Sequence, residues 1–242
     1  MARLPRVEAL DTPHHVTQRG NARRDVFETP NDRMVYLGLL QQHAQLQRLA
    51  ILGYCLMPNH VHLIVVPGRE GALAAALRNA HGRYAAYLNA RQAASGHVWQ
   101  GRYYSCPLGE ERVWTALRYA ELNPVRAGIV LDAADFPWSS ARIHSGGGWD
   151  GVIEVEPWRA RWTAEEWREF LAATEFERES EALRRATHSG RPLGTAHFVD
   201  RLEARLGRTL SAGRGGRPRK KEPAREFAPI LLAAGYSPAK AG

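Results

Sequence analysis

The sequence predicts an α+β fold in which a four-stranded antiparallel sheet carries two helices, and three observations predict it. Residues 50–57 (AILGYCLM) and 60–66 (HVHLIVV) are two strand-like runs joined by Pro58-Asn59, a tight turn, so they read as a hairpin. Apolar residues recur near helical spacing both before and after that hairpin. A further strand-like run lies outside each helix, at 13–19 (PHHVTQR) and at 97–106 (HVWQGRYYSC). The order strand–helix–strand–strand–helix–strand is that of a split βαβ, ferredoxin-like sheet.

Each element has its own signals. The first strand closes on Gly20-Asn21, a turn pair. Asn31 or Asp32 is placed to cap the first helix, along which Val35, Leu39, Leu46 and Leu49 recur near helical spacing. The second helix fits residues 71–92, with Leu73, Leu77, Tyr84 and Leu88 near one face. Gly101 interrupts the fourth strand and reads as a bulge. A third helix fits Glu110 to Leu122 and is stopped by Asn123-Pro124.

Past Gly128 the periodicity weakens. Residues 145–148 (SGGG) mark a loop, and Thr163-Ala-Glu-Glu166 is a capping box that opens a short helix. Trp158, Trp162 and Trp167 read as core or docking anchors rather than a base-stacking platform. Residues 195–206 form a further helix with Phe198, Leu202 and Leu206 on one stripe, and 213–221 (GRGGRPRKK) is a flexible basic arm.

The chain has 242 residues and a formal net charge of +8, a balance that suits a polyanionic partner. The stretch from Glu154 to Glu181 is rich in acid, whereas Arg184 to Lys221 is dominated by arginine next to Gly and Pro, as a phosphate-contacting surface would be. No apolar run approaches the about 20 residues that span a bilayer. The first residues (MARLPRVEALDTPHH) lack a secretory signal, so a cytoplasmic protein is expected. The two cysteines, Cys55 and Cys106, have no metal-ligand spacing and read as buried thiols.

Two short patterns bear on chemistry. In His60-Val61-His62 the imidazoles point to one face of a strand and can converge on one ion, leaving its other positions open. The same pair also serves as a polar face of a hairpin, and the spacing alone favours that plainer role. Tyr119 and Asn123 are four apart at a helix end and share a face. A tyrosine hydroxyl can act as a covalent nucleophile, and an amide oxygen can complete a metal's coordination. Equally, Tyr119 can pack on the sheet while Asn123 caps the helix.

Three segments, CLMPNHVHLIV (55–65), WQGRYYS (99–105) and RYAELNPVRAGIV (118–130), resemble in order the single-tyrosine transposases of the histidine–hydrophobe–histidine nuclease superfamily. More narrowly they are similar to REP-associated tyrosine transposases, relatives that act on repetitive extragenic palindromes. HVTQRGNARRDVF (15–27) is similar to that family's first strand and loop, and GRPLGTAHFVDRLEARLGR (190–208) to its basic tail. The resemblance implies that His60 and His62 bind a divalent metal, Mg²⁺ or Mn²⁺, that Asn123 is a third ligand, and that Tyr119 is the nucleophile. The implied reaction cuts single-stranded DNA, at palindromic hairpins, through a covalent 5′-phosphotyrosine, and passes the strand on.

Arg102, Arg118 and Arg126, together with Arg191, Arg217, Arg219, Lys220 and Lys221, are the expected DNA contacts. Tyr103 and Tyr104 are stacking candidates, at least one of which should face the core. The expected division is a catalytic domain at 1–130, a tryptophan-rich helical extension at 131–182 and a basic tail at 183–242. A monomer, associated with the nucleoid and not with a membrane, is favoured. Competing readings are a replication-initiator nickase, a DNA-binding protein without catalysis and a metal-dependent hydrolase without a covalent step.

Overall fold

A computed structural model describes residues 6–173 and 177–211. Its first part runs β1 (His14–Arg19), α1 (Pro30–Gln47), β2 (Leu49–Met57), β3 (His60–Pro67), α2 (Ala72–Arg91) and β4 (Tyr104–Pro107). The strands form one sheet in the order β2-β3-β1-β4, every neighbour antiparallel. The expected split βαβ arrangement is therefore present.

Local details depart from the expectation for identifiable reasons. The cap of α1 is Thr29, whose hydroxyl accepts from the Asp32 amide at 3.2 Å while the Asp32 carboxylate accepts from the Thr29 amide at 2.8 Å. Asp32 thus sits inside the first turn as half of a capping box. The buried stripe of α1 is Tyr36, Leu40 and Ala44. Leu46 is 63% exposed, and Leu49 already belongs to β2 because Arg48 ends the helix in a left-handed conformation. Aromatic packing sets this phase: Tyr36 meets Phe27, Tyr84 and Trp99, and its hydroxyl bonds His81 at 3.0 Å. In α2, Leu73, Leu77, Tyr84 and Leu88 all face the core, as their spacing indicates.

β4 is shorter than the run 97–106. Gly101 has φ +68°, so it turns the chain rather than bulging a continuous strand, and Trp99 makes only an isolated bridge to Gly20. The third helix, α3 (Glu110–Glu121), is followed directly by α4 (Asn123–Arg126). Pro124 stands in the first turn of α4, where its missing N–H costs nothing, so the chain resumes a helix instead of stopping.

The chain beyond residue 130 adds α5 (Ala141–His144), α6 (Glu156–Arg159), α7 (Ala164–Ala172), α8 (Glu177–Ser189) and α9 (Ala196–Leu206). Thr163 and Glu166 form the expected capping box on α7. This region lines the outer edge of β2 and meets the end of β4. Along β2, the Leu56 amide donates to Trp138 (2.8 Å), the Ser140 amide to Tyr54 (3.0 Å) and the Glu154 amide to Ile51 (2.7 Å). Beside β4, the Leu193 amide donates to Pro107 (2.9 Å) and the Gly109 amide to Leu193 (2.8 Å). α9 buries Phe198 and Leu202 with Val7, Ala9 and Leu210.

α8 falls where only a charged stretch was expected, and it contains the boundary expected at residue 182. Its buried face is Ser180, Leu183, Ala186 and Thr187, and it packs on β4 and β1. Together with α3 it covers the face of the sheet opposite α1 and α2. No described helix is long and apolar enough to cross a membrane.

A buried carboxylate ties these pieces together. Glu121, 0% exposed at the end of α3, accepts from Ser140 Oγ (2.6 Å) and His144 Nδ1 (2.6 Å) on one oxygen and from Trp167 Nε1 (2.9 Å) on the other. Ser140 Oγ also accepts from the Tyr54 amide of β2 at 3.0 Å, and His144 stacks on Trp158 with ring centroids 5.0 Å apart. Trp158 and Trp167 are buried and Trp162 packs beside them, so the three tryptophans are core anchors. β2 is flat against this cluster at Gly53, where an added Cβ would lie 2.2 Å from Leu117 Cδ1.

Two predictions concern stability. Glu121→Gln keeps one acceptor oxygen and sets its NH₂ against either the Ser140 and His144 donors or the Trp167 indole N–H. It should lower the unfolding free energy by about 1–3 kcal/mol, seen as a lower urea midpoint.

The second concerns two buried histidines held neutral by desolvation: His14, pushed down to about 4, and His81, pushed down to about 3. His14 is satisfied as a neutral ring, since Nδ1 donates to Thr12 O at 2.7 Å and Nε2 accepts from the Ala9 amide at 3.3 Å. Both rings bind their proton more weakly folded than unfolded. Their contribution is therefore complete above the unfolded value near 6.5 and is lost as pH falls from there toward 4 and then 3. Urea midpoints at pH 7, 6 and 5 should fall, each histidine costing up to about 1.4 kcal/mol per pH unit.

Candidate active site

The sheet face covered by α3 and α8 carries the chemically competent side chains. Residues paired across a ladder share a face. In the β1–β3 register Arg19 lies opposite His60, Thr17 opposite His62 and His15 opposite Ile64. Alternation along each strand therefore puts His15, Arg19, His60 and His62 together. The rings of His60 and His62 stand 4.9 Å apart, and those of His62 and His15 stack at 5.2 Å.

α3 presents Tyr119 to this cluster. Its ring is edge-on to His62 at 5.5 Å and to His15 at 5.8 Å, and the residue is 5% exposed. The Arg126 guanidinium lies over the same ring, 4.4 Å from its centroid. Arg126 is seven residues, or two helical turns, past Tyr119, which returns it to the same side.

The donor set fits a divalent ion with open positions. Burial keeps His60 neutral, its value pushed down to about 4, and lowers His62 well below its ordinary value. The cations Arg126 and Arg19 and the neighbouring histidines depress His62 further. Neutral imidazoles are the ligating form. His60 Nδ1 lies 2.6 Å from Asn59 Oδ1, an oxygen that only accepts, so Nδ1 carries the proton and Nε2 keeps its lone pair. The Asn123 NH₂ donates to the Tyr119 carbonyl (2.8 Å) and the Ala120 carbonyl (3.2 Å), so ligation by Asn123 would fall to its Oδ1. Among the described residues no group of three or more His, Cys, Asp or Glu is arranged to hold an ion.

The expected phosphate contacts divide. Arg126 and Arg102 are exposed. Arg118 is not available at the surface: it is 3% exposed, donates to the Leu171 and Ala173 carbonyls and lies over Phe170. One residue along a helix is a rotation of about 100°, so Arg118 faces α7 while Tyr119 faces the sheet. The Arg191 guanidinium is half-buried and donates to Leu210 O at 2.7 Å. Of the two stacking candidates, Tyr103 is buried under Arg6, and Tyr104 is half-buried against His188. Arg217, Arg219, Lys220 and Lys221 lie outside the described residues.

Sequence reasoning passed over His15, Arg19 and Thr187. Strand alternation from His15 through Thr17 to Arg19 was the available signal for the first two. Which of the adjacent His14 and His15 faces the site is set by register, and that is visible only once β1 is paired.

Comparison with known proteins gives one family match and likenesses of fold. Residues 10–123 match the family model described as transposase, IS200 like. The chain superimposes on a REP-associated tyrosine transposase bound to a REP hairpin with a TM-score of 0.52 and 16% identity, over 64% of this chain and 90% of that one. At that identity the likeness establishes the fold. A candidate transposase from Deinococcus radiodurans R1 matches with a TM-score of 0.35 and 16% identity, over 46% of this chain and 88% of that one. No curated protein matches the chain. Residues 10–123, which hold the whole sheet, His60, His62 and Tyr119, are the segment similar to the IS200-like transposase family.

Proposed function

We propose that the chain is a REP-associated tyrosine transposase: a metal-dependent enzyme that cuts single-stranded DNA at palindromic hairpins and transfers the cut strand. The observation that carries this reading is the Tyr119 ring set beside His62 and His15, on the face where His60 also stands, within one chain. A single chain thus furnishes every part, which favours a monomer. A DNA partner places the protein at the nucleoid.

In this reading His60, His62 and Asn123 would hold Mg²⁺ or Mn²⁺, which would supply positive charge to offset that of the scissile phosphate. The Tyr119 oxygen attacks phosphorus and gives up its proton. The bond to the 3′ oxygen breaks, that oxygen takes up a proton, and a free 3′ hydroxyl leaves. The 5′ side stays on the enzyme as a phosphotyrosine. Its ester energy is conserved, so another 3′ hydroxyl can reverse the step and join a new strand. Arg126, Arg102 and Arg19 stand exposed and are suited to contact phosphate, and residues 213–221, outside the described residues, add further basic charge in sequence. Residues 1–130 form the catalytic domain in this scheme. The following helices act as its buttress, and the basic tail grips the hairpin stem.

Tyr119→Phe should abolish a denaturation-resistant adduct on labelled hairpin DNA and leave binding nearly intact. His60→Ala and His62→Ala should lose cleavage, and chelator should stop the wild type. An adduct formed by Tyr119→Phe would assign another nucleophile, and cleavage without adduct would indicate a hydrolase. Binding with neither would indicate a DNA-binding protein.

Ending the chain after Ser211 removes Arg214, Arg217, Arg219, Lys220, Lys221, Arg225 and Lys240. If the tail makes about four phosphate contacts, the slope of log affinity against log salt should flatten by about three. Anisotropy titrations of full-length and shortened protein at several salt concentrations would show it. Identical slopes would place recognition before residue 212.

A further inference from the structure

Thr187 belongs to α8, beyond the family-matched segment, yet its hydroxyl touches the histidine cluster. Thr187 Oγ1 lies 2.8 Å from the Leu183 carbonyl, 2.7 Å from His15 Nδ1 and 3.3 Å from Cys106 Sγ. His15 Nε2 in turn lies 2.9 Å from His62 Nδ1. Three of these contacts form one continuous chain of hydrogen bonds running from the α8 backbone to a proposed metal ligand, and the Cys106 contact branches from it.

Donor and acceptor accounting gives that chain a direction. A carbonyl only accepts, so the single hydroxyl proton of Thr187 goes to Leu183 O. Thr187 Oγ1 must then accept from His15, which puts the proton of His15 on Nδ1. His15 is a neutral ring and carries one proton, so its Nε2 is bare and accepts. The only donor that can face it is His62 Nδ1–H. His62 therefore keeps its lone pair on Nε2. The Asn59 oxygen does the same for His60, with Nδ1 protonated and Nε2 bare. Cys106 is buried, its thiol pushed up to about 12 by desolvation, so it can only donate to Thr187 and does not reverse the direction.

We infer that Thr187, acting through His15, is a positioning residue that fixes the His62 tautomer and presents Nε2 to the divalent ion. The inference rests on the reading of His60 and His62 as metal ligands. An outer hydrogen bond on a ligating histidine sets both ring orientation and ligand basicity, and its loss typically weakens metal binding by about 10–100-fold. Here that outer partner is a second imidazole, itself oriented by a helix packed on from outside the family domain.

The test uses full-length protein with ¹⁵N-labelled histidine. Ring-nitrogen shifts in metal-free protein report the tautomer, and Mn²⁺ titration followed by electron paramagnetic resonance reports affinity. Wild type should show the Nδ1–H form at both His15 and His62. Thr187→Val keeps the shape but offers no acceptor. It should scramble the His62 tautomer and weaken Mn²⁺ binding by about 10-fold or more, while Thr187→Ser restores both. If Thr187→Val does not fold, His15→Phe, which keeps a ring without nitrogens, should give the same two changes. An unchanged His62 tautomer together with unchanged Mn²⁺ binding in the variant overturns the relay. Wild-type protein that takes up no Mn²⁺ instead overturns the metal reading on which the relay rests.

Discussion

The Glu121 carboxylate is the constraint around which the second half of the molecule is arranged. A group of this kind is costly to bury unless every lone pair is used. Ser140 and His144 come from α5 and its cap, Trp167 comes from α7, and all three converge on it. The network therefore has one well-satisfied geometry, and that geometry fixes the end of α3. Tyr119 lies two residues earlier on the same helix. Its aim at the sheet is set from behind, by a polar lock that touches none of the reacting groups.

The fold was legible where the sequence carries strong local periodicity. The hairpin around Pro58-Asn59 and the leucine stripe of α2 are such places. It was illegible where tertiary packing chose between close options. In α1 the aromatic cluster around Tyr36 selected the buried face, and Leu46, which fits the helical spacing equally well, was left in solvent. α8 escaped because its inward residues are small and partly polar. Ser180, Ala186 and Thr187 give little apolar contrast against a surface of Glu and Arg.

The site divides in the same way. His60 and His62 could be paired from strand alternation, and Tyr119 and Asn123 from helix spacing. Helix phase also separates Arg126 from Arg118, since only the former returns to the tyrosine's side. His15 could not be chosen over His14 without the register. Thr187 could not be found at all, because it reaches the site from 172 residues away along the chain. What sequence patterns supply is the set of candidate groups. What they omit is the shell that holds those groups in one protonation form.

The lining of the β2 edge has a consequence for assembly. An unpaired edge strand offers a row of amides and carbonyls onto which another chain can add a strand. Here β2 is lined by segments around Trp138, Ser140 and Glu154, and β4 by Leu193. Two copies of this protein therefore cannot join their sheets through β2 without first peeling the extension away. A pairing of copies that leaves the extension in place has to bypass that edge.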